Sequence, residues 1–266
     1  MLRILVCVKQ VPDVNLVRMD PVTGSLIRDG VPSIMNPFDC CALEAAVRLK
    51  EEYGGEIYAI TMGPPAAHAV LRECLSVFAD KAILITDRAF RDADTLATSY
   101  SIVTAANMFG KFDIILCGKE TLDGATGQMG SQLAERFDAS QVTGASLIKS
   151  VDKARGTLVT ERETESGIET VEATLPCLLT IEKTNYQPRI PNFRGKKAAR
   201  TAEITTLSAA DISGLDPAKI GAPGSGTIVP RTYPPEAGEA GVMIDEGSAG
   251  KNAAKLLDII RDSGII

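Results

Sequence analysis

The chain has no tryptophan, one histidine (His68) and only 5% aromatic residues in 266. One imidazole argues against a Ser-His-Asp or Cys-His mechanism and rules out a histidine-rich metal site. No Cys-x-x-Cys pair occurs among Cys7, Cys40, Cys41, Cys74, Cys117 and Cys177. Cys7, Cys117 and Cys177 sit inside apolar runs, so buried thiols acting as small hydrophobes are expected, not a disulfide frame or a metal site. No apolar run approaches the ~20 residues that span a bilayer. The apolar start of the chain stops at Val8 with no small-residue cleavage site after it. It reads as a first strand, and the protein as cytoplasmic, without stable membrane insertion. An excess of basic charge is missing too: 28 Lys+Arg stand against 34 Asp+Glu, a net charge of −6. The whole chain is therefore not a nucleic-acid binder, and any basic patch is local.

What is present is ordinary for a globular protein: 45% hydrophobic and 23% charged residues. A chain of this length buries roughly 70–75% of its unfolded surface and needs no staple. Continuous apolar runs at Ile4–Val8, Ile57–Thr61, Ala82–Ile85 and Ile114–Cys117 predict parallel strands covered on both faces. Helical spacing at Ala42–Glu52, Pro65–Val77 and Asp94–Asn107 fills the intervals. The βαβ alternation predicts an α/β fold, a doubly wound and mostly parallel sheet. The long first connection, Gln10 to Asn36, holds a small hairpin formed by Val17–Asp20 and Ser25–Arg28. Leu158–Glu163 and Ile168–Ala173 read as an added antiparallel hairpin, and Leu178–Ile181 as a further strand. Asn185–Arg200 reads as basic and irregular, and Gly214–Gly241 as an extended arm. Ser248–Asp262 reads as an amphipathic helix with Leu256, Leu257, Ile259 and Ile260 on its apolar face. It docks either on another subunit or on its own domain.

Ligands of open parallel sheets lie beyond the carboxyl ends of the strands. Four loops fall there. In the first, Lys9 suits a phosphate or an ion pair with Asp13. In the second, Asn36-Pro37-Phe38-Asp39, helix capping accounts for Asn36, Pro37 and Asp39. Phe38 is left as core or as a stacking group. In the third, Met62-Gly63-Pro64-Pro65, Gly63 permits close backbone approach. The fourth, Cys117 to Gly130, is the most informative. A buried strand enters a polar loop with Gly124, Gly127 and Gly130, and a helix starts near Gly127. Free amides and the helix dipole favour an anion such as pyrophosphate, with Thr126 and Gln128 as hydrogen-bonding partners. Neither the Walker A sequence nor G-x-G-x-x-G is present. No nucleophile–base pair or acid–base carboxylate pair is recognisable, so no catalytic residue and no metal ligand is assigned.

In order along nearly the whole chain, Val6-Cys7-Val8-Lys9-Gln10-Val11-Pro12-Asp13, Asn36-Pro37-Phe38-Asp39, Leu43–Glu51, Met62-Gly63-Pro64, the 118–130 loop and Pro188-Arg189 resemble the electron transfer flavoprotein beta subunit. The resemblance implies a heterodimer with an alpha subunit that carries FAD, and an adenine nucleotide bound in this chain's own sheet. In one branch that nucleotide is a structural AMP. In the electron-bifurcating branch it is FAD, which takes a hydride from NADH. One electron then goes to the alpha-subunit FAD, and from there to a partner flavin dehydrogenase. The other goes to ferredoxin or flavodoxin. The short Asp123-Gly124-Ala125-Thr126-Gly127-Gln128 resembles the bifurcating type, as do Ser248-Ala249-Gly250 and the Gly264-Ile265-Ile266 end. FAD is thus the expected cofactor and AMP the alternative. The resemblance places Cys7, Val8 and Lys9 along the nucleotide, with Asn36 and Asp39 on adenine, ribose or the flavin edge. It sets Phe38 near the subunit boundary, Met62 and Gly63 beside the adenosine, and Asp123, Gly124, Ala125, Thr126, Gly127, Gln128, Met129 and Gly130 at the pyrophosphate.

It also makes Arg189–Lys197 a docking loop for dehydrogenases, with Ile190, Phe193, Arg194, Lys196 and Lys197 on the partner-facing surface. Phe193 takes the place of an apolar anchor; the competing reading folds it into the core. The segments become 1–184 for nucleotide binding, 185–247 for docking loop and arm, and 248–266 for a helix on the partner subunit. Three stretches depart from the family: Ser76–Asp80, Lys196–Arg200 and Glu120–Asp123. They bear on packing, on the choice of dehydrogenase and on the flavin potential. Two other classes compete. A stand-alone nucleotide sensor of the universal-stress-protein type fits the βαβ pattern but needs no long C-terminal arm. A nucleotidyl transferase lacks its acid–base constellation.

Overall fold

The computed structural model describes residues 1–13, 18–19, 26–27, 31–183, 185–228, 230 and 241–264. Its strands are β1 (Leu2–Cys7), β2 (Gln10–Pro12), β3 (Arg18–Met19), β4 (Leu26–Ile27), β5 (Ser33–Met35), β6 (Gly55–Met62), β7 (Lys81–Ile85), β8 (Ile114–Gly118), β9 (Ser140–Asp152), β10 (Thr157–Thr164), β11 (Gly167–Thr174), β12 (Cys177–Ile181) and β13 (Thr205–Leu207). The helices are α1 (Pro37–Tyr53), α2 (His68–Ser76), α3 (Thr95–Asn107), α4 (Met129–Phe137), α5 (Phe193–Thr201), α6 (Gly221–Gly224) and α7 (Ala249–Asp262). The chain forms two compact units, Met1–Pro230 and Arg231–Ile266.

In the first unit nine strands form one sheet in the order β11-β10-β9-β12-β8-β1-β6-β7-β13. It is parallel from β9 to β13, and β10 and β11 are added antiparallel. This is the expected doubly wound sheet with its hairpin. Every residue of β8 and β12 is buried, which is why both read as unbroken apolar runs. One core lies under α1 and α2, around Ile4, Val6, Ile57 and Leu71. The other lies under α3 and α4, around Leu5, Ile60, Ile115 and Leu133. Of the first-connection hairpin, β3 and β4 pair antiparallel, and the turn at 20–25 lies outside the described residues.

Four parts of the chain differ from expectation. Residues 193–201 are helical, not irregular. Asn192 starts α5 by accepting the Gly195 N–H at 2.8 Å. The helix lies on α2 so closely that a Cβ at Gly195 would stand 2.2 Å from the Ser76 carbonyl oxygen. Arg72 of α2 donates to the carbonyls of Ala199 and Ala202. The segment after Gly214 is not wholly extended: it holds a single turn at Pro217–Lys219 and α6, while residues 229 and 231–240 lie outside the described residues. Strand β9, thirteen residues long, and the short β13 complete the sheet beyond the predicted strands.

In the second unit α7 carries an apolar face on which Leu256 and Leu257 are 49% and 46% exposed. No described helix is long and apolar enough to cross a membrane. All six cysteines are free thiols.

Candidate functional site

The chain leaves β1, passes through α1 and enters β6 on one side. It later leaves β7, passes through α3 and enters β8 on the other side of β1. The direction of winding therefore reverses between β1 and β8, and their carboxyl ends open a crevice.

Asp39, in the first turn of α1, bridges the two strand ends. One carboxylate oxygen accepts the Lys9 N–H at 2.8 Å and the other accepts the Gly118 N–H at 2.8 Å. Only glycine fits at 118: a Cβ there would stand 2.5 Å from Phe38 Cβ and 2.6 Å from an Asp39 oxygen. Burial pushes the Asp39 carboxyl up to about 7, against the pull of its two amide donors. The same burial raises the thiols of Cys7 and Cys117, and the charge of Asp39 adds to it.

Asn36 and Asp39 do not cap α1 with their side chains, contrary to the spacing. The Asn36 amide donates to the Glu120 carbonyl at 2.8 Å and accepts the Leu122 N–H at 3.3 Å. The four-residue motif thus ties the first loop to the fourth, and its polar groups are spent on distant backbone. Lys9 pairs with both oxygens of Asp123 at 2.8 Å. Burial alone would raise the Asp123 carboxyl, but the bonds from Lys9 and Thr121 outweigh it and hold the group below its ordinary value. The pair is half exposed at the rim, so its net worth is under about 1 kcal/mol.

Beyond these contacts lies a cleft of about 440 Å³. Among the expected site residues, Cys7, Val8, Lys9, Asp39, Met62, Gly124, Thr126, Gln128 and Met129 line it. Asn36, Phe38, Asp123, Ala125, Gly127 and Gly130 do not. Asn36 is the tie described above, Phe38 packs its Cβ toward Gly118, and Asp123 holds Lys9. Ala125 and Gly127 shape the loop with φ of 45° and 62°. Gly130 is buried against Thr180. Gly63 lines an adjoining cavity of about 560 Å³ that shares Met62 with the cleft. Helix α4 begins at Met129, two residues later than expected, and no side chain caps its first turn. Its free amides remain for an anion.

Sequence reasoning missed the opposite wall. Asp94, Thr95, Thr98 and Ile102 of the α3 end line the cleft with Thr227. The Gln132 amide donates to the Thr95 hydroxyl at 3.1 Å, which donates to the Gln128 side-chain oxygen at 3.2 Å. The Gln132 side-chain oxygen behind them is buried with no partner. The one available signal was Asp94 before a helical run, which is an N-cap pattern, and it points to a helix start rather than to a ligand.

The basic segment stands apart from the cleft. Arg189 is fastened by Glu44 at 2.7 Å and Glu51 at 2.6 Å. Beyond that anchor Ile190 and Phe193 are 88% and 85% exposed, so Phe193 is not core. Arg194, Lys196 and Lys197 are exposed beside it.

The family model described as the electron transfer flavoprotein domain matches residues 23–212. The chain is 43% identical over 262 residues to protein FixA of Bradyrhizobium diazoefficiens, covering 96% of this chain and 90% of that one. It is 44% identical over 266 residues to the caffeyl-CoA reductase-Etf complex subunit CarD of Acetobacterium woodii, covering 100% of both. It is 44% identical over 244 residues to the electron transfer flavoprotein subunit beta of Thermoanaerobacterium thermosaccharolyticum, covering 91% and 92%.

Proposed function

The chain belongs to the electron transfer flavoprotein family, and from that premise we propose that it is a beta-type subunit holding an FAD in the β1–β8 cleft, beside an alpha-type subunit with its own FAD. Thr126, Gln128 and the first turn of α4 would hold the diphosphate of the cleft FAD, and the flavin would supply the redox chemistry of a hydride acceptor from NADH and of a one-electron donor to the alpha-subunit FAD and to ferredoxin or flavodoxin. The observation that carries the reading is the cleft's second polar wall. The Gly-rich loop and the uncapped start of α4 suffice for one phosphate group. Across from it Thr98 offers a further hydroxyl, and Thr95 with Gln128 and Gln132 forms a polar wall, so the cleft has polar groups beyond those that a single phosphate on the loop would use. Val8, Met62, Ile102 and Leu133 supply apolar surface for flat rings.

Within this reading Asp39 sets the spacing of the strand ends under the nucleotide, and Lys9 with Asp123 holds the fourth loop at the rim. Nucleotides extracted from the purified heterodimer are expected to be two FAD and no AMP per complex. One FAD with one AMP would make this a structural subunit of a simple electron shuttle and reject bifurcation.

The Ile190–Lys197 surface is the docking site for the partner dehydrogenase. Phe193→Ala is expected to weaken docking by ~1–3 kcal/mol with flavin content unchanged. Titration of the dehydrogenase with each form checks this, and equal affinities would remove Phe193 from the interface.

A further inference from the structure

We propose that Asp94 is a latch that fastens the 221–227 segment across one end of the cleft, so that a bound nucleotide and this strap hold each other in place. The proposal rests on the reading of the cleft as a nucleotide site.

One oxygen of Asp94 accepts the Ala97 N–H at 3.0 Å and caps α3. Capping needs nothing more. Yet the other oxygen accepts two further amides, Gly226 N–H at 2.8 Å and Thr227 N–H at 3.0 Å. The Asp94 N–H donates to the Ser225 hydroxyl at 2.9 Å, and that hydroxyl donates to the Gly221 carbonyl at 2.8 Å. The strap's near end is fixed independently. The Ala222 N–H donates to the Arg91 carbonyl at 3.0 Å. Gly221, with φ of 56°, sits where a Cβ would stand 2.2 Å from the Ala89 carbonyl oxygen. The strap thus has a rigid base at 221–222 and a free edge at 226–227, and the edge is tied down by one carboxylate.

That edge carries Thr227, which lines the cleft opposite the Gly-rich loop together with Thr95 and Thr98. Contacts between a ligand and Thr227 exist only while Asp94 holds the two amides. Linkage then makes the effect reciprocal: whatever affinity the closed strap adds to the ligand, the ligand adds to closure. Thr227 lies a few residues before the second unit begins.

The two roles of Asp94 separate in Asp94→Ser. Serine caps a helix well, but its single oxygen, one bond shorter, leaves Gly226 and Thr227 without an acceptor. The full chain with its partner subunit is loaded with FAD, and in parallel with AMP, and release is followed by fluorescence and by filtration. Hydrogen exchange is read at the Gly226 and Thr227 amides. Asp94→Ser is expected to keep the native Tm, to release nucleotide about tenfold faster at an unchanged association rate, and to lose nucleotide-dependent protection of both amides. Ser225→Ala, whose side chain does not line the cleft, shifts release in the same direction. Native release rates in both variants, or exchange at 226 and 227 that nucleotide leaves unaltered, overturn the latch alone. A native complex that takes up neither nucleotide overturns the reading of the cleft, and the latch with it.

Discussion

Asp39→Ala is expected to destabilise the first unit by about 2–4 kcal/mol, and by more at pH 5 than at pH 8. The loss has two parts. The substitution leaves the buried Gly118 N–H and the partly buried Lys9 N–H without acceptors, at ~1–3 kcal/mol for each fully buried group. The second part depends on pH. Burial raises the Asp39 carboxyl from 3.8 to about 7, so the folded chain binds this proton more tightly than the unfolded one. Native stability from this group therefore falls as pH rises through the window between those values and is constant above it. Each unit of that window corresponds to about 1.4 kcal/mol. The variant has no such proton, so its deficit grows as pH falls from 7 toward 4. The neighbouring thiols of Cys7 and Cys117, held far above their ordinary values by the same burial, stay neutral throughout. Urea unfolding of both forms at pH 5 and pH 8 isolates the effect as a difference. Equal deficits at the two pH values would mean that Asp39 ionises in the ordinary carboxylate range. Asp39→Asn retains one acceptor and is expected to fall between the two.

The bridging role of Asp39 is hidden in the sequence for a general reason. Asn36-Pro37-Phe38-Asp39 has the spacing of a helix start, and a helix does start there. Local pattern explains the residue types completely, so nothing in the sequence signals a second use. The actual partners are 79 and 84 residues away, at Gly118 and Glu120, and only the parallel pairing of β1 with β8 brings them close. The Gly-rich loop, by contrast, was legible because glycine marks backbone that must approach something closely. The α3 wall was not, since threonines inside a helix carry no spacing that separates a ligand contact from a surface hydroxyl.

The same division runs through the fold. Strands β1, β6, β7, β8 and β12 are covered on both faces, and continuous apolar runs record that fact directly. Strand β9 buries only Val142, Ala145, Ser146 and Val151 and contains Gly144 with φ of 68°, so it shows neither a continuous apolar run nor a regular alternation. Helix α5 buries only Gly195 and Ala199 and exposes its one large apolar residue, Phe193. A helix held by small residues against α2 has no amphipathic stripe to detect. Its exposed aromatic is the inverse of what folding alone would select, and that inversion makes the surface a candidate for docking.

Gly130→Ala tests whether the cleft depends on the seat of α4. Two effects oppose each other. Alanine improves helix propensity over glycine by about 1 kcal/mol. Against this, the new Cβ would stand 2.2 Å from Thr180 Cγ2. Thr180 cannot yield cheaply. It is 2% exposed in β12, and its hydroxyl accepts the Gly144 N–H at 2.9 Å, a bond that rotation would break. The contact is far inside van der Waals distance, so the clash wins and α4 must lift from the sheet. Overpacking of this kind costs about 1–3 kcal/mol. The lift also carries Met129 and Gln128 away from the cleft, and with them the free first-turn amides. We expect a net stability loss of up to about 2 kcal/mol and at least a tenfold loss of nucleotide affinity, about 1.4 kcal/mol. Gly156→Ala serves as the comparison. Gly156 has φ of 68° in the distant β9–β10 turn with nothing within 4 Å of its Cβ position. Left-handed strain there costs about 1–2 kcal/mol without touching the cleft. If both variants lose stability but only Gly130→Ala loses nucleotide, the seat of α4 is part of the binding site. Native affinity in Gly130→Ala would show that the nucleotide is held without the start of this helix.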